Sequence, residues 1–407
     1  MHTINTEVES NRVTKMNFKM VTFMAISHIV NDSYMNFFQP LLPLIIPALG
    51  LSATAVGAMT ALFSITSSLS QLIIGHFTDR MGTRSFIFWG PLLAAISMSS
   101  IGLVNDYALL TVVISLAGIG IAAFHPPASA LVGSISAEKS GRAMSLFSLG
   151  GNIGFALMPL LVVPLAWKFG LSVTPVLATP GLVAAVLLYK HAPAIGPSHQ
   201  LAAPSFIKVV RDRLAPFLCL LGTVAFRSLS FFSLVTFLPI LLHQRGFSPV
   251  ISGTILSVLA FSGALGGLIG GFISDSWGRK PVIISSLALA VPFLNLSLKS
   301  GDGMMVVWLG LSGASLLASF SVAVVAAQEI FPDNKATASS LALGFGLGLG
   351  GLGVGLIGLL VDAIGLERAI SMISFMPLIA AAFALGLPGR RSEPETIRVV
   401  DYVDPNG

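Results

Sequence analysis

Apolar stretches of about 20 residues recur along the whole chain, and they decide its fold class. A membrane-spanning helix needs about 20 consecutive apolar residues, because the hydrocarbon core of a bilayer is about 30 Å thick. Only 10% of the 407 residues are charged and 54% are hydrophobic, whereas a soluble domain carries about 25% charged residues. The sequence therefore predicts an all-α membrane protein, since the strands of a barrel would give weaker, alternating segments.

Twelve membrane-spanning helices are predicted, with bounds expected to hold within a few residues. They are Phe18–Pro40, Ala53–Ile74, Ser85–Val104, Tyr107–Val132, Gly141–Trp167, Val173–Tyr189, Phe217–Leu242, Val250–Ser274, Pro281–Leu298, Met304–Ile330, Thr337–Val361 and Ala369–Leu387.

The basic residues fall almost entirely on one side of these spans. Of the 22 Lys and Arg residues, Arg227 lies inside a span, Lys168, Arg245, Lys299 and Arg368 lie on one side, and the other 17 lie on the opposite side. Cytoplasmic loops carry the excess of Lys and Arg. We therefore expect a multi-pass protein of the cytoplasmic (inner) membrane with both termini in the cytoplasm.

An internal repeat divides the chain into two parts. Adding 196 to a residue number in the first part gives a like residue in the second: Pro43 and Pro239, Gly50 and Gly246, Gly57 and Gly253, Gly75 and Gly271, Asp79 and Asp275, Gly82 and Gly278, Arg84 and Lys280. Parallel repeats of this kind are typical of transporters. The predicted organisation is a cytoplasmic tail at 1–17, six-helix halves at 18–189 and 215–388 with a cytoplasmic linker at 190–214, and a second tail at 389–407.

Two copies of one loop motif lie between spans two and three and between spans eight and nine. Their sequences are GHFTDRMGTR and GFISDSWGRK. Glycines allow a tight turn and close helix packing, and an aspartate can cap a helix or pair with a basic group. We expect a gating motif, with an ordinary charged loop as the alternative. Its residues are Gly75, Asp79, Arg80, Gly82, Arg84, Gly271, Asp275, Gly278, Arg279 and Lys280.

The duplicated loop resembles the signature of the major facilitator superfamily. The segments SHIVND, AFHPPAS and SLFSLGGNIGFALMPLL resemble the fosmidomycin-resistance branch of that family. The resemblance covers nearly the whole chain. It implies a twelve-helix transporter that exports small molecules in exchange for protons, with drug or phosphonate efflux as the type activity.

Asp32 and His28 lie one turn apart inside the first span. A carboxylate at membrane depth costs about 2.5–3.5 kcal/mol on insertion scales, so it usually faces a cavity and has a function. An apolar site favours the protonated carboxyl, and a histidine one turn away can share its proton. The pair is our candidate for proton coupling, and a purely structural hydrogen bond is the alternative.

Arg227 is the one basic residue deep within a predicted span, and it occupies the place of Asn31 in the repeat. A guanidinium there can bind an anionic substrate or pair with Asp32, and a structural ion pair is again the alternative. The other candidate substrate-binding residues are Asn31, His125, Asn152, Gln39 and Tyr34.

The sequence favours a proton-coupled antiporter that exports a small polar or anionic compound as a monomer in the lipid bilayer. A proton-coupled importer of a sugar acid, amino acid or siderophore-like metabolite fits the same residues, and a non-transporting receptor fits less well because no signalling domain is evident. We expect no enzyme activity, cofactor, metal site or nucleic-acid partner, since no catalytic, metal-ligand or nucleotide-loop spacing occurs.

Overall fold

The computed structural model describes residues 16–136, 140–193, 195–196, 211, 213–331 and 335–389. Across these ranges every regular element is helical, and no strand occurs. The side chains of residues 72, 79, 140, 335–343 and 345 lie outside the description as well.

The described α-helices are long and connected by short turns. In chain order they are α1 Phe18–Ser33, α2 Leu42–Leu49, α3 Ala53–Met81, α4 Arg84–Ser99, α5 Tyr107–Ser134, α6 Ser140–Phe169, α7 Thr179–His191, α8 Leu214–Gln244, α9 Pro249–Trp277, α10 Arg279–Lys299, α11 Asp302–Ile330, α12 Lys335–Ile364, α13 Leu366–Ile373 and α14 Met376–Ala384. Short 3₁₀ segments cover Tyr34–Asn36, Gln39–Leu41, Ser100–Leu103 and Leu171–Ala178.

Eleven helices within the described ranges are long and apolar enough to cross a membrane. The first span is not the single continuous helix that was predicted over Phe18–Pro40. Helix α1 ends after 16 residues, and two 3₁₀ turns join it to α2. Pro40 in the second turn and Pro43 at the beginning of α2 account for the break, because proline removes a helical hydrogen bond and disfavours helix in the residue before it. The equivalent α8, whose prolines are Pro216 in its first turn and Pro239 in its interior, runs unbroken over 31 residues.

Helix packing follows the same pattern in both parts of the chain. Helix α1 packs on α6 and α3 packs on α5, while their repeat equivalents α8 and α9 pack on α12 and α11. Contacts between the two parts join α3 to α12 and α6 to α9, which are again equivalent pairs. The chain is thus an integral, multi-pass helical bundle, and residues from α1, α5, α6 and α8 reach its interior.

Glycine turns at equivalent positions reinforce the repeat. Gly50 and Gly246 have φ angles of 63° and 91°, and Gly82 and Gly278 have φ angles of 85° and 94°. These values lie in the left-handed region, which glycine adopts without the penalty that a Cβ brings. The matching glycines therefore end matching helices.

Candidate functional site

Asp32 lies between two histidines inside the bundle. Its Oδ2 is 3.0 Å from Nε2 of His28, one turn earlier on α1, and its Oδ1 is 3.4 Å from Nε2 of His125 on α5. The side chains of His28 and Asp32 are only 8% and 12% exposed. The predicted pairing of His28 with Asp32 is therefore present as a contact, and His125, which was predicted to bind substrate, lies in the same cluster.

The imidazole of His28 is fixed by α6. Its Nδ1 lies 2.7 Å from the carbonyl oxygen of Phe147, and its ring stacks on the Phe147 ring with centroids 4.0 Å apart. A carbonyl oxygen only accepts hydrogen bonds, so Nδ1 carries a hydrogen and Nε2 is the nitrogen that faces Asp32.

Asn31 completes the surroundings of the carboxylate. Its Nδ2 donates to Oδ1 of Asp32 at 3.0 Å and to the carbonyl oxygen of Ile121 at 3.5 Å. The structural hydrogen bond weighed as the alternative thus exists, and it coexists with the two histidine contacts. Asn31 lies in the carboxylate cluster, and its own Oδ1 has no partner among the described residues.

Gly151 on α6 borders the His28–Asp32 contact. A Cβ at this position would lie 2.6 Å from both Nε2 of His28 and Oδ2 of Asp32. Its neighbours Gly150 and Gly154 would meet the carbonyl oxygens of Ala25 and Ile29. The glycines of α6 therefore allow α1 to approach at backbone distance, as such small residues do in membrane bundles.

The donor atoms of His28, Asp32 and His125 lie within 4.8 Å of one another. Imidazole nitrogen and carboxylate oxygen are groups that bind protons and also first-row divalent cations. Sequence spacing did not indicate this cluster, because His125 is brought from a helix about 90 residues away by tertiary packing.

Arg227 on α8 is buried without a counter-ion. It is 2% exposed, its Nη2 lies 3.3 Å from Oγ of Ser228, and its guanidinium carbon lies 5.0 Å from the ring centre of Phe320. In the described part of the chain, no carboxylate lies within 4.0 Å of it, and its Nε has no hydrogen-bond partner. The alternative pairing with Asp32 is therefore absent from this structure, since Asp32 contacts the histidines instead.

Further buried polar atoms lack partners among the described residues. They belong to helices or turns from both parts of the chain: Asn36 Oδ1, Gln39 Oε1, Thr60 Oγ1, Ser230 Oγ, Ser233 Oγ, Thr236 Oγ1 and Ser257 Oγ. Buried polar groups normally find a protein, water or ligand partner. This set includes Gln39, which was predicted to bind substrate. The serines and threonines were not predicted, because isolated hydroxyls are common in apolar helices.

Tyr34 and Asn152 lie apart from the clusters. The Tyr34 hydroxyl donates to the carbonyl oxygen of Leu177 at 2.8 Å and accepts from the amide of Gly181 at 3.1 Å, which ties the end of α1 to the beginning of α7. Asn152 is exposed. Their substrate contacts stay predictions.

The first loop motif packs against the beginning of the linker. Gly82 and Thr83 contact Ile195, whose amide and carbonyl both bond to Thr83 at 3.0 and 3.1 Å. Arg84 lies over the Tyr189 ring at 4.9 Å. Gly75 and Arg80 lie on the last turns of α3, while the Asp79 side chain is outside the described part.

The second loop motif forms a charged network. Arg279 contacts Asp275 at 2.6 Å and Glu329 at 3.0 Å, which ties the turn between α9 and α10 to the end of α11. Gly271 lies on α9, Gly278 forms the turn, and Lys280 donates to the carbonyl oxygen of Leu385 at 2.5 Å.

Asp362 links α12 to α3 at the opposite end of the bundle. Its carboxylate accepts from the backbone amides of Ala53 at 3.1 Å and Thr54 at 2.8 Å. These amides belong to the first turn of α3, where the helix dipole also favours a negative charge. This contact was not predicted, because nothing local in the sequence marks a carboxylate that binds a helix end some 300 residues away.

Comparisons with known proteins agree with this architecture. The family model of the Major Facilitator Superfamily matches residues 24–275 and 220–401. The Fosmidomycin resistance protein of Escherichia coli is 27% identical over 394 residues, which cover 94% of this chain and 96% of that protein. A probable 4-methylmuconolactone transporter of Cupriavidus pinatubonensis is 24% identical and covers 87% and 86%.

Solved structures show the same fold. A bacterial homologue of the human lysosomal transporter Spinster, in an inward-facing and occupied conformation, superposes with a TM-score of 0.78 at 18% identity, covering 90% of this chain and 96% of that one. The nucleoside transporter NupG gives 0.75 at 15% identity, covering 90% and 99%.

Proposed function

Because the chain belongs to the major facilitator superfamily, whose members are transporters rather than enzymes, we propose that it is a proton-coupled antiporter that exports a small anionic compound. In this proposal twelve spans form two six-helix halves, with both termini on the cytoplasmic side of the inner membrane. The first span is α1 continued by α2. The protein acts as a monomer by alternating access.

The observation that carries this proposal is the buried Arg227 guanidinium without a counter-ion. Taking an ion out of water is costly unless a charge or hydrogen bonds compensate it. Asp32 has two histidines and Asn31 around it, whereas the guanidinium has one serine and an aromatic face. An anionic substrate would supply the missing counter-charge, with the planar guanidinium holding two of its oxygens.

In the proposed cycle, an anionic substrate at Arg227 and a proton at the His28–Asp32 cluster are bound in turn. In the inward-open state, substrate binds Arg227 from the cytoplasm while the contact of Asp362 with α3 closes the outer end. Opening outwards breaks that contact, substrate leaves, and the His28–Asp32 cluster takes a proton. Return of the halves delivers the proton to the cytoplasm. The repeated loops close the cytoplasmic end in the outward-open state.

The named relatives support transport of small organic compounds, and the E. coli protein's link to drug resistance supports export. Import of a sugar acid remains the second candidate, and the similarity of parts of the chain to a probable L-galactonate transporter and a hexuronate transporter supports that substrate class. The same two sites would serve an importer if proton and substrate moved together.

The test is binding and counterflow in proteoliposomes with a panel of carboxylates, phosphonates and neutral compounds. Arg227→Lys keeps the charge and loses the planar fork, so affinity for the anion should fall about tenfold. Arg227→Ala should cost about 2–5 kcal/mol of binding. The exposed Arg368→Ala is the matched control. Unchanged affinity in Arg227→Ala would refute the anion site, and counterflow from vesicles of known orientation decides the direction.

A further inference from the structure

The contact between His28 and Asp32 requires exactly one proton. The Nδ1 hydrogen of His28 is committed to the Phe147 carbonyl oxygen. If Nε2 were bare and Asp32 ionised, a lone pair and a negative oxygen would face each other at 3.0 Å. Either Nε2 is protonated beside a carboxylate, or Asp32 is protonated and donates to a neutral imidazole.

The surroundings of Asp32 favour the carboxylate form. Asn31 donates to Oδ1 at 3.0 Å, and hydrogen bonds to the charged form of a carboxyl stabilise that form.

The other groups facing the pair do not require a second proton. His125 from α5 satisfies its 3.4 Å contact with Oδ1 as a neutral Nε2–H donor, and its ring centre lies 5.2 Å from that of His28, where two imidazolium ions would repel. From α6, the pair is faced by Gly151 and the Phe147 carbonyl, which do not titrate.

We propose that His28, not Asp32, binds and releases the coupling proton, with Asp32 as a permanently ionised counter-charge and the Phe147 carbonyl as the group that positions the imidazole. This assignment rests on the proton coupling proposed above. On release, the proton leaves Nε2 for water, the imidazole becomes neutral, and Asp32 is unchanged.

Loss of the Nε2 proton from His28 would also change how α1 is attached to α6. After release, the bare Nε2 faces the ionised Oδ2 while Nδ1 still holds α6. The ring must then turn away from Asp32 or leave the Phe147 carbonyl. Either movement loosens the attachment of α1 to α6, which the protonated state keeps closed.

Spectroscopy tests the assignment without a transport assay. In lipid nanodiscs, ¹⁵N-histidine NMR should show one buried imidazolium that loses its Nε2 proton as pH rises while Nδ1 stays protonated. In the infrared spectrum, Asp32 should give no carboxylic-acid C=O band, so the Asp32→Asn substitution should remove no such band. A neutral His28 together with such a band would overturn the proposal.

Variants separate this proposal from the proposed function. His28→Gln should abolish substrate-induced proton flux and retain substrate exchange. Asp32→Asn should retain proton flux, with its pH midpoint about 1–3 units lower because the imidazolium loses its counter-charge. The control His243→Gln removes an exposed histidine whose Nδ1 also faces a carbonyl oxygen, 3.2 Å away.

Proton flux that persists in His28→Gln and vanishes at every pH in Asp32→Asn would overturn the assignment. Absence of proton flux in the wild-type protein would instead refute the proposed coupling, because the NMR and infrared results do not depend on transport.

Discussion

Gly151→Ala should weaken the His28–Asp32 ion pair with one added methyl group. The new Cβ would lie 2.6 Å from both Nε2 and Oδ2, whereas about 3.5 Å is a comfortable contact. Helix α6 cannot simply move away from α1 as a whole without breaking the close backbone contacts of Gly150 and Gly154. The side chains of the pair must therefore yield.

The size of the effect follows from the separation of the charges. At an effective dielectric constant of about 20, two unit charges attract by about 5.5 kcal/mol at 3.0 Å and about 4.2 kcal/mol at 4.0 Å. A widening of about 1 Å thus removes about 1.4 kcal/mol, which equals one pH unit. Because the pair stabilises the protonated imidazole, the pH midpoint of proton-driven transport should move about one unit lower.

The assay is substrate-induced proton flux in proteoliposomes measured across pH for wild type, Gly151→Ala and Gly141→Ala. Gly141 lies on the same helix, and a Cβ there would meet nothing within 4 Å. Both variants add one methyl group to α6, and of these two only the methyl group at residue 151 contacts the pair. An unchanged midpoint, or a shift to higher pH, in a Gly151→Ala protein of normal thermal stability would refute the reasoning.

Two further predictions concern residues outside the proton cluster. Tyr34→Phe should lower unfolding stability by about 1–3 kcal/mol, because it leaves the Leu177 carbonyl and the Gly181 amide without their partner; a loss of substrate affinity at unchanged thermal stability would instead support the predicted substrate contact. Asp275→Ala should slow transport and leave equilibrium binding nearly intact, because it frees Arg279 from one of its two carboxylates at the loop motif; equal losses of binding and transport would indicate misfolding.

Much of the fold could be predicted from the sequence, because long apolar runs and turn glycines act locally. The glycines at 82 and 278 end their helices as the repeat suggested. The prediction of one continuous helix for the first span was wrong, since Pro40 and Pro43 outweigh apolar length there. Its equivalent α8 has one of these prolines and remains intact.

The site was predictable only in part. Asp32, His28 and Arg227 were singled out because a charge inside a span is rare, and all three are buried in the bundle, while their roles stay predictions. The contacts that His28 and Asp32 make with other helices could not be predicted, because they depend on how α1, α5 and α6 pack and no single segment encodes that packing. They involve His125, the Phe147 carbonyl and Gly151. The Tyr34 hydroxyl has two backbone partners that tie helices together, which its position in a span did not predict, and its substrate contact stays a prediction.

The unpaired charge of Arg227 bears on how membrane voltage acts upon the transport cycle. The ionised Asp32 and protonated His28 cancel, so the substrate-free protein carries one uncompensated positive charge in its described interior. A charge that crosses the membrane field gains or loses about 2.3 kcal/mol per 100 mV. A bound monoanion cancels this charge. The loaded carrier has also given its proton to the cytoplasm, so it keeps the negative charge of Asp32. The membrane potential would therefore favour both movements, that of the negative loaded carrier outwards and that of the positive empty carrier towards the negative cytoplasm, where substrate is collected.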